Sequence, residues 1–262
     1  MSFPGGPSIT EVCDALEKSS AHYVRLLEQV KDPDLPAVGS WNVGVTVMHT
    51  AASGAYFLAV AQGKTEPMAI DSDHSAYNDS ELKWDLPDLI ARFKAGEEAL
   101  VGYGRNLEGD PEVEFFKGMK GPVSTVLAIE LCEVLVHGYD IAKASGLEWD
   151  IPGDAAALAI SGTFPLWPHI VDTDAAAGIN ARYEIRIRNG AAIICDFKNG
   201  YLKLEDPSGA PIDCWLSIDP VVFLLLTFNR IKPWTSLLQG KMSAGGRRFW
   251  LAGKFSSMFK SP

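Results

Sequence analysis

Apolar side chains recur every three or four residues through the first half of the chain, and every second residue through much of the last third. The first pattern is the signature of helices with a buried face, the second that of half-buried strands. Over 8–30 the apolar stripe is Val12, Leu16, Tyr23 and Leu27, and Ser8 with Glu11 has capping-box spacing, so a helix starts there. A second helix is predicted over 43–62, rich in Ala51, Ala52, Ala55 and Ala59, with Gly63 to end it. A third runs over 87–105, with Asp85 as cap and Pro87 in the first turn. The fourth, 122–146, is nearly all apolar and closes on Gly146. Segments 32–40, 63–84 and 106–120 read as loops; the second is long and polar, with Asp71, Asp73, His74, Asn78 and Asp79. Four helices joined in this way predict an antiparallel four-helix bundle.

The period changes further on. A helix is expected over 154–168, ended by the sequence FPLWP. RYEIRIR, AAIICDF and YLKLE then read as strands, separated by Asn189-Gly190 and Asn199-Gly200, the strongest short hairpin signal. Another strand, IDCWLSI, leads into the apolar helix 219–228, where Asp219 and Pro220 suit the cap and first position. A short helix over 234–239 and two short strands, 241–245 and 247–253, complete the chain. The fold class expected is therefore two-domain: an all-α bundle over 1–152, a connecting helix and linker over 153–180, and an α+β domain over 181–262.

The fourth helix carries the candidate chemistry. At about 100° per residue, Glu133, His137 and Asp140 fall roughly 60°, 20° and 80° to one side of Glu130, so all four share one stripe. The other faces are Val, Leu, Ile, Ala and Cys. Carboxylates and imidazoles in such surroundings cost heavily unless they are paired or bind a metal. The stripe is thus a metal site or a satisfied polar network. Glu133 and His137, one turn apart, can converge on one ion. The third ligand must come from another element, and His49 on the second helix is the natural candidate. Two histidines and a carboxylate suit zinc with one open position. Asp140, a turn beyond His137, can fix its ring. His22 and His74 read as surface residues, and His169 as packed between the two halves.

Composition narrows the classes. The 262 residues carry 23 Lys+Arg against 33 Asp+Glu, a formal net charge of −10, which argues against nucleic acid or an anionic membrane surface as main partner. The start, MSFPGGPSIT, lacks a basic and apolar leader pattern, and the apolar run 220–228 is too short to span a bilayer. Cys13, Cys132, Cys195 and Cys214 have no paired spacing and read as reduced thiols of a cytoplasmic protein.

Two stretches resemble a known family. SWNVGVTVMHTA, with Trp41 eight residues before His49, is similar to the first motif of the mycothiol-dependent maleylpyruvate isomerase family, and ELCEVLVHGYDIAKASG to its second. That family belongs to the DinB-like four-helix bundles. The C-terminal part, ending GKMSAGGRRFWLAGKF, resembles the sterol-carrier-protein-2-like domain often fused to them.

The resemblance implies that His49, Glu133 and His137 hold a divalent metal, most often zinc. It implies mycothiol as thiol cosubstrate, a small electrophile as second substrate, and either cis-trans isomerisation or S-transfer. Family isomerases also use a basic residue of the C-terminal domain. Lys241, Arg247 and Arg248 lie in the corresponding stretch, but GKMSAGG stands where the family pattern has an arginine after the glycine, which leaves isomerase and transferase both open. Asp140, Lys241 and Arg247 are thus the candidate catalytic groups, and a monomer or weak dimer is expected. The alternative is a lipid- or sterol-binding protein that uses the apolar helix of the C-terminal domain and performs no catalysis.

Overall fold

The structure, a computed structural model, describes residues 5–70 and 85–260. The polar stretch with Asp71, Asp73, His74, Asn78 and Asp79 lies outside the described residues.

Four helices form the first half. α1 (Ile9–Leu27) starts at the expected capping box: Ser8 Oγ accepts from Glu11 N, and the Glu11 carboxylate accepts from Ser8 N at 2.8 Å. Its buried face carries Val12, Leu16, Tyr23 and Leu27. α2 (Val43–Ala61) is capped by Asn42, whose Oδ1 accepts from Val45 N at 2.8 Å. By length and composition α2 could cross a membrane, but most of it is buried against the other helices, as a core helix is. α3 (Leu86–Arg105) is capped by Asp85 with Pro87 in its first turn. α4 (Val123–Ser145) ends on Gly146 in the left-handed region at φ 66°.

Glycines set one of the helix spacings. A methyl on Gly54 of α2 would lie 2.4 Å from Glu97 Oε1 and 3.1 Å from the Gly96 carbonyl carbon; one on Gly96 of α3 would lie 3.0 Å from Ala55 N. The two backbones therefore touch, which only residues without a side chain allow.

Two hairpins occupy segments expected as loops. β1 (Pro36–Val38) pairs with β2 (Trp41–Asn42), and β3 (Glu112–Phe116) with β4 (Met119–Pro122). Strands of two to five residues are too short to write a period into the sequence. The expected helix over 154–168 is also shorter: α5 (Gly153–Gly162) gives way to a 3-10 helix, Phe164–His169. Pro165 and Pro168 lack the N–H that an α-helical ladder needs.

The last third is a mixed sheet with helices packed on it. After α6 (Thr173–Ala176) come β5 (Asn180–Ile187), β6 (Ala192–Lys198), β7 (Tyr201–Glu205), β8 (Cys214–Ile218), α7 (Pro220–Thr227), α8 (Pro233–Leu238) and β9 (Met242–Gly245). The order is β7-β6-β5-β8-β9, with β5 parallel to β8 and the other neighbours antiparallel. Both Asn-Gly pairs sit at hairpin turns; Asn199 and Gly200 both have positive φ, 50° and 84°, as a type I′ turn requires.

One expected strand is absent. Residues of 247–253 form a 3-10 helix, Phe249–Lys254, rather than a strand. The buried anchors there are Leu251, Phe255 and Met258, three to four residues apart, which is a helical spacing. Gly246, at φ 106° and close against the Asp213 backbone, turns the chain out of β9 just before it. The two halves join through α5, which packs on α1, α4 and α7.

Candidate metal centre

His49, on α2, and Glu133 and His137, on α4, meet at one point. His49 lies seven residues past the cap Asn42, two helical turns on, and so on the side of α2 that faces the residue before the cap, Trp41. The Trp41 ring sits 4.9 Å from the His49 ring and 6.0 Å from that of His137. His49 Nε2 is 3.2 Å and His137 Nε2 3.1 Å from Glu133 Oε2. All three ligand atoms lie within 4.8 Å of one another. Both histidines are buried, while the Glu133 side chain is 23% exposed, so the cluster opens on its carboxylate side.

Asp140 lies behind His137, with its Oδ2 3.1 Å from His137 Nδ1. A proton on Nδ1 is donated to this carboxylate, which directs Nε2 at Glu133 and keeps the ring from turning. Asp140 is itself held by Arg230, from Nε to Oδ1 at 2.9 Å and from Nη2 to Oδ2 at 2.7 Å. Arg230 follows α7. Its N–H bonds the Leu225 carbonyl at 2.8 Å, Asn229 before it has φ 58°, and its Nη1 donates to the Phe228 carbonyl at 2.6 Å. The left-handed residue turns the chain back at the helix end and aims the guanidinium at α4.

The electrostatics follow from these contacts. Burial pushes the Glu133 carboxyl up, but hydrogen bonds from His137 and His49 outweigh it and hold the group far below the carboxylate range. Burial disfavours the charged His137 ring, yet Asp140 and Glu133 raise it to about 9. Asp140 is held below its usual value, burial being outweighed by His137 and Arg230.

The donor set fits a divalent cation. In a tetrahedral zinc site with bonds of about 2.0–2.1 Å, ligand atoms stand roughly 3.3 Å apart. The two observed separations to Glu133 Oε2, 3.2 and 3.1 Å, match that spacing. A tetrahedral cation held by two imidazole nitrogens and one carboxylate oxygen would keep a fourth position open.

The other candidates lie elsewhere. Arg247 extends into solvent and bonds Asp213 at 2.9 Å, Arg248 bonds the Asn180 carbonyl at 2.9 Å, and Lys241 is exposed. Among the described residues, the basic side chain that bonds Asp140 behind the cluster is Arg230, which sequence reasoning missed. Its signal was a lone arginine closing an apolar helix, opposite a buried aspartate that needed a partner. His169 is exposed rather than packed between the halves. His22 is half-buried, stacked 4.3 Å from the Trp149 ring. Glu130 points away from the cluster and accepts from Ser53 Oγ at 2.7 Å. All four cysteines are buried free thiols.

Fold and geometry together define a class: a four-helix bundle holding a two-histidine, one-carboxylate cluster, continued by a mixed α+β half. Residues 169–260 match the SCP-2 sterol transfer family. Crystal structures of the mycothiol-dependent maleylpyruvate isomerase share the fold across both halves. A histidine-to-alanine mutant of that enzyme superposes with a TM-score of 0.57 at 14% identity, covering 91% of this chain and 93% of that one. A second crystal structure gives 0.53 at 16% identity, covering 87% and 91%. No curated protein matches the chain by sequence. The resemblance drawn from the two motifs is thereby shown at the level of the fold: the chain has the two-part architecture of mycothiol-dependent maleylpyruvate isomerase.

Proposed function

We propose that this protein is a metal-dependent enzyme that activates a low-molecular-weight thiol, mycothiol in the family it resembles, for addition to a small electrophile. The observation that carries the reading is the convergence of His49 and His137 on one oxygen of Glu133, with His137 oriented by Asp140. His49, Glu133 and His137 are the ligands, and zinc suits the donor set. A divalent cation bound there supplies the positive charge that lowers a thiol's pKa and favours the nucleophilic thiolate.

The residues do the rest. Glu133 contributes one negative charge to the site. Asp140 contributes a second, which Arg230 neutralises, so the centre keeps net positive charge for an anionic sulfur. Trp41, over both imidazoles, shields them from water.

With a conjugated cis-alkene, sulfur adds to the double bond, the resulting single bond rotates, and sulfur leaves, so isomerisation needs no oxidant or reductant. With other electrophiles the sulfur stays attached, and the outcome is S-transfer. The reading places the protein in the cytoplasm, with a thiol and an electrophile as its small-molecule partners.

The match of 169–260 to the SCP-2 sterol transfer family favours a second reading, an apolar-ligand carrier. Against it, Val222, Phe223, Leu224 and Leu225 of α7 are already buried, with Phe223 5.9 Å from Trp167 and α7 packed on α5. They act as core.

The test is elemental analysis of purified protein together with mycothiol consumption in His49→Ala and His137→Ala. Stoichiometric metal that is lost in both variants, together with activity, supports the enzyme. Metal-free protein carrying co-purified lipid, or unchanged activity in both variants, would sink it.

A further inference from the structure

Two carboxyl groups that the metal centre does not use lie in the middle of the bundle. Glu97 of α3 is 3% exposed and Glu130 of α4 is 0%. Ser20 of α1 donates its hydroxyl to Glu97 Oε2 at 2.9 Å, and Ser53 of α2 donates to Glu130 Oε1 at 2.7 Å. One helix each supplies the four members. The remaining oxygens, Glu97 Oε1 and Glu130 Oε2, are buried with no hydrogen-bond partner, and the two carboxyls flank neighbouring residues of α2, Glu130 at Ser53 and Glu97 at Gly54. Among the described residues neither carboxyl has a cation beside it: every ion pair that α3 and α4 form involves other groups.

A carboxylate has no hydrogen to donate. Two buried carboxylates facing each other without a proton would repel in a low dielectric, and the energy of that arrangement is prohibitive. One proton removes the conflict and completes the hydrogen bonding. Glu130 Oε2–H donates to Glu97 Oε1, Ser53 donates to the Glu130 carbonyl oxygen, and Ser20 donates to the Glu97 carboxylate. All four oxygens are then satisfied and one negative charge remains.

The proton belongs on Glu130. Burial raises both carboxyls, and Glu130, 0% exposed, also stands one turn from the Glu133 carboxylate on the same helix, so a second negative charge beside Glu97 disfavours its ionised form. The other titratable groups facing the pair are Tyr23 of α1, and Cys132 and Glu133 of α4. Tyr23 bonds Thr50 Oγ1 at 2.7 Å, and burial keeps both it and Cys132 protonated. His49, one turn before Ser53 on α2, is engaged with Glu133.

A metal ion fits this place poorly. Hard cations such as calcium take six to eight oxygen ligands, and α2 presses its backbone at Gly54 against Glu97 Oε1.

We propose that Glu97 and Glu130 form a proton-binding site that holds one proton between Glu130 Oε2 and Glu97 Oε1 at neutral pH, and so ties α3 to α4 one turn before Glu133. The site stands whether or not a metal binds at His49.

The experiment is infrared spectroscopy of the full chain at pH 7, read for the carbonyl band of a protonated buried carboxyl. The wild type shows the band, Glu130→Gln loses it while folding normally, and Glu97→Gln keeps it. If Glu130→Gln does not fold, persistence of the band in Glu97→Gln at pH 7 carries the assignment. Absence of the band in the wild type overturns the proposal. So does an ion retained stoichiometrically by a His49→Ala, His137→Ala double variant and lost on adding Glu97→Gln.

Discussion

Arg230 grips Asp140 through two hydrogen bonds, 2.9 Å from Nε to Oδ1 and 2.7 Å from Nη2 to Oδ2, and so a residue following α7 orients a histidine on α4. The chain of contacts is Arg230 to Asp140 to His137, and it ends at the cluster. Removing the carboxylate frees the His137 ring; Asp140→Ala is expected to weaken zinc binding about 10–100-fold, read by chelator competition. Removing only the guanidinium leaves a buried carboxylate with less compensation. Arg230→Met is therefore expected to destabilise the fold by about 3 kcal/mol in urea unfolding, and the Asp140→Asn, Arg230→Met double variant to recover most of it. Equal and additive losses would show that the pair does not act as a unit.

The contact of α2 with α3 makes a contrast between two glycines. A methyl on Gly54 would meet Glu97 Oε1 at 2.4 Å, whereas one on Gly102, in the interior of α3, meets nothing within 4 Å. Gly54→Ala should cost about 1–3 kcal/mol by overpacking. Gly102→Ala should stabilise by about 0.5–1 kcal/mol, through helix propensity alone. Paired denaturation curves decide: a neutral Gly54→Ala would mean that the helices can part without loss.

Stability should depend on pH through the buried carboxyl pair. Glu97, pushed up to about 7, and Glu130, pushed well above its usual range, both bind protons more tightly folded than unfolded. Their contribution is fully present below about 4.5 and is lost as pH rises through the folded values. The stability of wild type relative to Glu130→Gln should therefore fall steadily from about pH 5 to pH 8. A difference independent of pH would mean that the pair does not hold its proton.

The sequence disclosed most of this arrangement, and the gaps have physical causes. The caps Ser8, Asp85 and Asp219, and the Asn199-Gly200 turn, are local rules that the fold obeys, so their elements lie where the pattern places them. The i, i+4 spacing put Glu133 and His137 together, and the Trp41–His49 motif supplied the partner helix. What stayed hidden was non-local. Arg230 is 90 residues from Asp140 in sequence, and no periodicity links them. Glu130 shares a stripe with Glu133, yet its carboxyl accepts from Ser53 of α2 instead of joining the cluster. The strand expected over 247–253 failed because alternation in a seven-residue run cannot be told from 3-10 anchoring by Leu251 and Phe255.

Removing the metal should cost activity far more than fold. In a structural zinc site the ion replaces a core; here a large apolar core surrounds α4, and the ligands have partners of their own. His137 is held by Asp140, Glu133 accepts from both histidines, and Asp140 is neutralised by Arg230. Dialysis against a chelator should therefore abolish thiol consumption and leave a cooperatively unfolding, helical protein. Linkage sets the size of the change: metal at 100 times its Kd stabilises by about 2.7 kcal/mol, roughly 5–10 °C in Tm for a chain of this length. Circular dichroism melts with and without chelator, followed by zinc add-back, measure both quantities. Collapse of the helical signal in the metal-free protein would show that the ion builds the bundle; activity that survives chelation would show that the cluster is a polar network and the chemistry lies elsewhere.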